Sequence, residues 1–165
     1  LAGYRVERCQ GAGCSTFVQI ATPSTTSYSD PGLTAGTSYS YRVRAADAAG
    51  NLSGYSNIST AATPALDTTK PSTPTGLTAT ADSSTQINLT WNPSTDNVDV
   101  TGYIVYRCNN KSTCTPNTQI ATTATNSYSN TGLTGSTLYR YRVRAVDAPG
   151  NLSSFSGIAS ARTAQ

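Results

Sequence analysis

The sequence predicts an all-β protein built as two β-sandwiches in tandem, and three observations predict it. Short runs in which apolar and polar residues alternate are separated by Gly, Asn, Asp, Ser and Pro turns, and no helical period occurs. The chain also repeats itself at a shift of about 100 residues. Charged residues make up 12% of the 165 positions, against about 25% in ordinary globular proteins, while Ser and Thr abound. A surface kept wet by hydroxyls and a chain rich in β-formers follow.

The repeat sets the domain organisation. Gly3-Tyr4 falls on Gly102-Tyr103, Cys9 on Cys108, and Ser27-Tyr28-Ser29 on Ser127-Tyr128-Ser129. Gly32-Leu33-Thr34 falls on Gly132-Leu133-Thr134, and Tyr41 through Ala45 falls on Tyr141 through Ala145. The run from Asp47 to Ser53 likewise meets that from Asp147 to Ser153. The counterpart of Leu77 to Val100 would lie before Leu1, so the first copy is expected to be truncated at its front and to lack its first two strands. The expected divisions are a truncated module over 1–63, a Pro-rich linker over 64–74 and a complete module over 75–165. Prolines fix φ, so the linker should be extended and semi-rigid.

In the second copy seven strands are expected, each with one face on a core. They are Leu77 to Ala81, Ile87 to Trp91, Tyr103 to Arg107, Gln119 to Thr122, Ser127 to Ser129, Leu138 to Val146 and Gly157 to Arg162. In the longest, Tyr139, Tyr141, Val143 and Ala145 share one face and Arg140, Arg142 and Arg144 the other. The apolar set should be buried.

Leu89-Thr90-Trp91 resembles the second strand of fibronectin type III modules, with its core tryptophan. Leu33 with Tyr39, and Leu133 with Tyr139, are similar to the pair that closes that family's tyrosine corner. Asp96-Asn97-Val98 and Asp147-Ala148-Pro149-Gly150-Asn151 look like turns of the family's bacterial extracellular members. The resemblance implies two immunoglobulin-like, seven-strand sandwiches organised around Trp91, Leu33, Tyr39, Leu133 and Tyr139. The cysteines depart from the family pattern. Cys9 and Cys14, and Cys108 and Cys114, each bracket one Gly- or Asn-rich hairpin turn, so each pair can close locally. Such a disulfide would contribute about 2 kcal/mol and implies an oxidising compartment. Zinc is the rival, but four thiolates on two separate modules would not meet, and no His accompanies either pair.

Chemistry is sparse. The chain has no His, and its eight acids sit mostly in turn or linker sequence without an obvious facing pair. No nucleophile elbow and no phosphate-binding glycine loop occur, so no enzyme activity and no cofactor are expected. A net charge of +3 with pI about 8.7 and no basic stripe argues against nucleic acid. No apolar run approaches the roughly 20 residues that span a bilayer. Asp96, Asn97 and Asp99 could offer hard oxygens to calcium, but Asx residues at a turn bond their own backbone, so no metal is expected. Asn51, Asn57, Asn88, Asn110 and Asn151 begin glycosylation triplets, which arise by chance in Ser- and Thr-rich sequence. No Arg-Gly-Asp triplet occurs.

A binding face, if there is one, is the outward side of the third and longest strands, where Arg140, Arg142 and Arg144 gather near Ile104 and Tyr106; Arg5, Glu7, Arg42 and Arg44 correspond in the first copy. Arginine over tyrosine could grip an anionic glycan or another module, or be a solvated sheet face. The expected role is that of a non-catalytic extracellular structural segment, a spacer, stalk or filament unit. Its partners would be neighbouring modules of the same polypeptide or other copies of the chain. The alternative is an accessory carbohydrate-binding or adhesion module of a secreted polysaccharide-degrading enzyme, with polysaccharide as partner.

Overall fold

The computed structural model describes residues 1–109 and 112–165 and divides into two compact units, Leu1–Leu66 and Asp67–Gln165. Among the described residues there are strands and no helix. Unit 1 holds β1 (Gly3–Gln10), β2 (Val18–Ala21), β3 (Ser38–Ala46) and β4 (Ser59–Ala62) in one antiparallel sheet, ordered β2-β1-β3-β4. Unit 2 holds β5 (Thr78–Ala81), β6 (Ile87–Thr90), β7 (Val100–Asn109), β8 (Thr118–Thr123), β9 (Ser127–Asn130), β10 (Leu138–Asp147) and β11 (Ala159–Arg162). These form two sheets, β11-β10-β7-β8 and β5-β6-β9. All seven strands expected in the second copy are present.

The alternation decides what unit 2 buries. Ile87, Leu89 and Trp91 from one sheet meet Tyr103, Val105, Tyr139, Tyr141, Val143 and Ala145 from the other, with Leu133 at the corner. Trp91 packs edge-on against Tyr103 at 5.3 Å between ring centres. Burying each such side chain contributes about 1.5–3 kcal/mol, which is why this interior holds the two sheets together. At the corner, the backbone N–H of Thr134 donates to the Tyr139 hydroxyl at 3.0 Å, and that of Thr34 donates to Tyr39 at the same distance.

Unit 1 repeats the larger sheet alone. Its inner face, with Tyr4, Val6, Leu33, Tyr41 and Val43, borders an open groove of about 610 Å³. Five strands are expected in this copy and four form: Ser27–Ser29, which repeats β9, is not a strand. The reason is pairing. β9 takes its ladder from β6, and unit 1 has no β6 counterpart.

Two close approaches explain the repeated Gly-Tyr. A Cβ on Gly102 would lie 2.7 Å from the carbonyl oxygen of Thr123, and one on Gly3 would lie 2.9 Å from that of Pro23. Within the 64–74 stretch, expected as an extended, semi-rigid Pro-rich linker, residues 64–66 belong to unit 1 and residues 67–74 to unit 2. The carbonyl of Pro64 accepts from Gly36 N at 2.8 Å in unit 1. In unit 2 Pro71 and Pro74 are buried, and Ser72 N donates to the Thr95 carbonyl at 2.8 Å.

Candidate functional site

The outer face of β10 is built by the alternation that fills the core. Arg140, Arg142 and Arg144 project opposite Cys108, Tyr106 and Ile104 of β7. The Arg142 guanidinium lies 3.5 Å above the centre of the Phe155 ring, and that of Arg144 lies 5.0 Å from the same ring and 5.2 Å from Tyr106. Tyr106 and Phe155 meet edge-on at 5.1 Å. Hydrogen bonds fix each cation: Arg142 donates to the Pro116 carbonyl and to Asn117 Oδ1, both at 2.7 Å, Arg140 to the Cys114 carbonyl at 2.6 Å, and Arg144 to the Tyr106 hydroxyl. The ring faces are therefore already stacked under guanidinium groups. Tyr106 is only 8% exposed, so this face is a closed cation-π lattice and not an open aromatic platform. Phe155, which the sequence reading did not single out, is its centre; its counterpart Tyr55 in the repeat is the one available signal.

Unit 1 carries the same lattice with an anion in it. Glu7 stands where Tyr106 stands and is 5% exposed. Its Oε2 accepts from Arg42 Nε at 2.8 Å and Nη2 at 2.7 Å, and its Oε1 accepts from Tyr55 Oη at 2.9 Å and Arg44 Nη2 at 3.4 Å. Arg42 lies 3.7 Å over Tyr55 and 4.4 Å over Phe17. Burial alone would raise the Glu7 carboxyl, but the hydrogen bonds from Arg42 and Tyr55 and the two positive charges hold it below its ordinary value.

The cysteines are bonded Cys9–Cys14 and Cys108–Cys114, with Cα atoms 5.9 and 6.2 Å apart. Each bond closes one β-hairpin end. Of the glycosylation triplets, Asn51 and Asn151 have their amides engaged with Asp47 and Asp147, Asn88 lies within β6, Asn57 is exposed, and Asn110 lies outside the described residues.

The acids cluster differently from the expected Asp96-Asn97-Asp99 loop. Asp99 is exposed. One carboxylate oxygen each from Asp67, Asp96 and Asp147 instead lie within 4.8 Å of one another. Asp147, 2% exposed, is the hub of the turn that ends β10. Its Oδ1 accepts from the backbone of Gly150 at 2.8 Å and Asn151 at 2.6 Å, and its Oδ2 accepts from Asn151 Nδ2 at 2.8 Å. Gly150 has φ 97°, which is what lets its N–H turn inward. Asp67 Oδ1 accepts from Thr69 N at 2.9 Å and Asn97 Nδ2 at 3.2 Å, and the first of these bonds is the main cause that holds its carboxyl below the ordinary value.

With the sandwich and its corner in place, the family is decided. The fibronectin type III domain model matches residues 72–162. The chain belongs to the fibronectin type III family. It is 46% identical over 99% of its length to part of Chitinase A1 from Niallia circulans, and 42% identical over 99% to part of Exoglucanase B from Cellulomonas fimi. It spans only 22% and 14% of those two proteins. Among solved structures, a chitinase from Bacillus thuringiensis superposes with a TM-score of 0.51 at 29% identity, covering 60% of this chain and 14% of that one. As a fibronectin type III segment, the chain is non-catalytic.

Proposed function

We propose that the chain is a non-catalytic accessory segment of a secreted polysaccharide-degrading enzyme, working beside catalytic and substrate-binding parts on chitin or cellulose. The observation that carries this reading is the match, over almost the whole chain, to segments of a chitinase and an exoglucanase. It takes the place of the free-standing stalk or filament as the leading reading. Two local disulfides support an oxidising, extracellular setting. Within this role the outer face of unit 2, with Tyr106, Arg140, Arg142, Arg144 and Phe155, is the surface that meets polysaccharide or a neighbouring module. Guanidinium N–H groups and ring edges, not ring faces, make the contact.

A second reading, a spacer that contacts no glycan, is favoured by the coverage of those ring faces. One experiment tests both. The segment is deleted from the parent enzyme, activity is measured on insoluble and soluble substrate, and the isolated chain is tested for retention on chitin and cellulose. Loss confined to insoluble substrate supports the accessory role. Retention that weakens in Arg142→Ala then supports glycan contact, while no retention supports the spacer. Unchanged activity on both substrates overturns the proposal.

A further inference from the structure

We propose that Asp67, Asp96 and Asp147 form a divalent-cation site of the calcium class at the end of unit 2 where the chain enters it. Three carboxyl groups whose oxygens converge within 4.8 Å would repel one another on ionising unless a positive charge stood among them. Among the described residues no cation is paired with them: every ion pair there lies in unit 1, on Glu7 or Asp30.

The hydrogen bonds point the same way. Asp67 uses Oδ1 for Thr69 and Asn97, and Asp96 uses Oδ2 for the backbone N–H of Val98 at 3.0 Å. The remaining oxygens, Asp67 Oδ2 and Asp96 Oδ1, each have less than 1 Å² of accessible surface and no hydrogen-bond donor. A buried carboxylate oxygen without a donor is costly unless something else satisfies it. Turns supply every donor they can reach and still leave one oxygen bare on each of two acids beside a third. A cation satisfies both at once.

The donor set names the class of ion. All three side chains offer hard oxygen, and no His or Cys is nearby to favour a transition metal. Calcium, bonded to oxygens at about 2.3–2.6 Å in flexible geometry, spans such a spread, with backbone carbonyls or water completing the shell. The three acids come from three places: the lead-in to unit 2, the loop between β6 and β7, and the end of β10. Bound there, the ion would clamp the entering segment to the sandwich. Unit 1 has only Asp47, the counterpart of Asp147, held by the same Asn bonds; acids matching Asp67 and Asp96 are not in this sequence.

The test uses the whole chain and Trp91, its one tryptophan, which lies in unit 2. Melting is followed by tryptophan fluorescence after chelation with EDTA and after adding calcium chloride, and calcium and magnesium chlorides are titrated calorimetrically. Calcium should raise the midpoint by about 5 °C or more. Asp96→Asn and Asp67→Asn should abolish that shift while melting no lower than the wild type in EDTA, because each removes a repelling charge. Asp67 lies on the lead-in, outside every strand, so its variant keeps the sandwich. Absence of both heat and shift, or a shift that survives in both variants, overturns the site. An equal response to magnesium overturns its assignment to the calcium class.

Discussion

The two units give one sheet in two settings, and the contrast separates what a strand sequence determines from what its neighbour determines. The tyrosine corner, the Ser and Thr clips and the Asp-Asn turn recur with nearly the same lengths: Val43 N to Ser56 Oγ and Val143 N to Ser156 Oγ are both 3.0 Å. Burial does not recur. Tyr141, Val143 and Ala145 are fully buried against β5-β6-β9, whereas Tyr41, Val43 and Ala45 are half-buried. Local hydrogen bonds thus follow the sheet, and the dry interior needs a second sheet. The polar fittings differ too. In unit 1 Asp30 accepts from Tyr41 and Arg8, both at 2.9 Å; in unit 2 its counterpart Asn130, 4% exposed, donates to Tyr141 at 2.8 Å. A neutral amide is the cheaper group in a sealed place.

The largest effect should come from breaking the interior that only one unit possesses. Tyr141→Ala is expected to cost about 3–5 kcal/mol in the unfolding transition reported by Trp91. Tyr41→Ala, beside the open groove, should lower amide-exchange protection in β3 far less; equal losses would erase the contrast. Next comes alkaline pH. Burial pushes the Tyr141 phenol up to about 12 from an ordinary 10.0, against a partly opposing bond from Asn130. The folded state disfavours the phenolate, so unit 2 keeps its full stability below pH 10. It loses about 1.4 kcal/mol per pH unit between 10 and 12, measurable by urea titration at each pH.

A smaller effect tests the shared corner. Tyr139→Phe removes the acceptor of Thr134 N and should cost about 1–2 kcal/mol by the same fluorescence assay, and Tyr39→Phe should expose the Thr34 amide to faster exchange. A response in unit 2 alone would tie the corner to the core. The smallest effect concerns Glu7. Its folded-state value is depressed, so its contribution is present above the ordinary 4.5 and lost as pH falls through the folded value. Carbon NMR titration should give a midpoint below 4.5 that climbs in Arg42→Ala.

The strands were legible because period-two patterning is local: Tyr139, Tyr141, Val143 and Ala145 declare their face without reference to anything else in the chain. The gathering of the β10 arginines beside Tyr106 could be inferred from the outward faces of the third and the longest strands, which pair as β7 and β10. Phe155 could not, because it lies outside any alternating run and reaches the lattice from an irregular segment. The convergence of Asp67, Asp96 and Asp147 was hidden for a related reason. Each sits at a turn where a local Asx bond accounts for it, and only the folded sandwich brings the three turns to one end. The missing ladder for Ser27–Ser29 shows the converse, a good strand sequence left without the edge it needs.

The hairpin disulfides have a consequence for how such a chain oxidises. Each cysteine has its proper partner 5 or 6 residues away, while the other pair is about 100 residues off. The effective concentration of the near thiol far exceeds that of any distant one, so each bridge can close before the rest of the chain has folded. Lengthening the array by duplication would multiply the cysteines without creating a serious competitor for any of them.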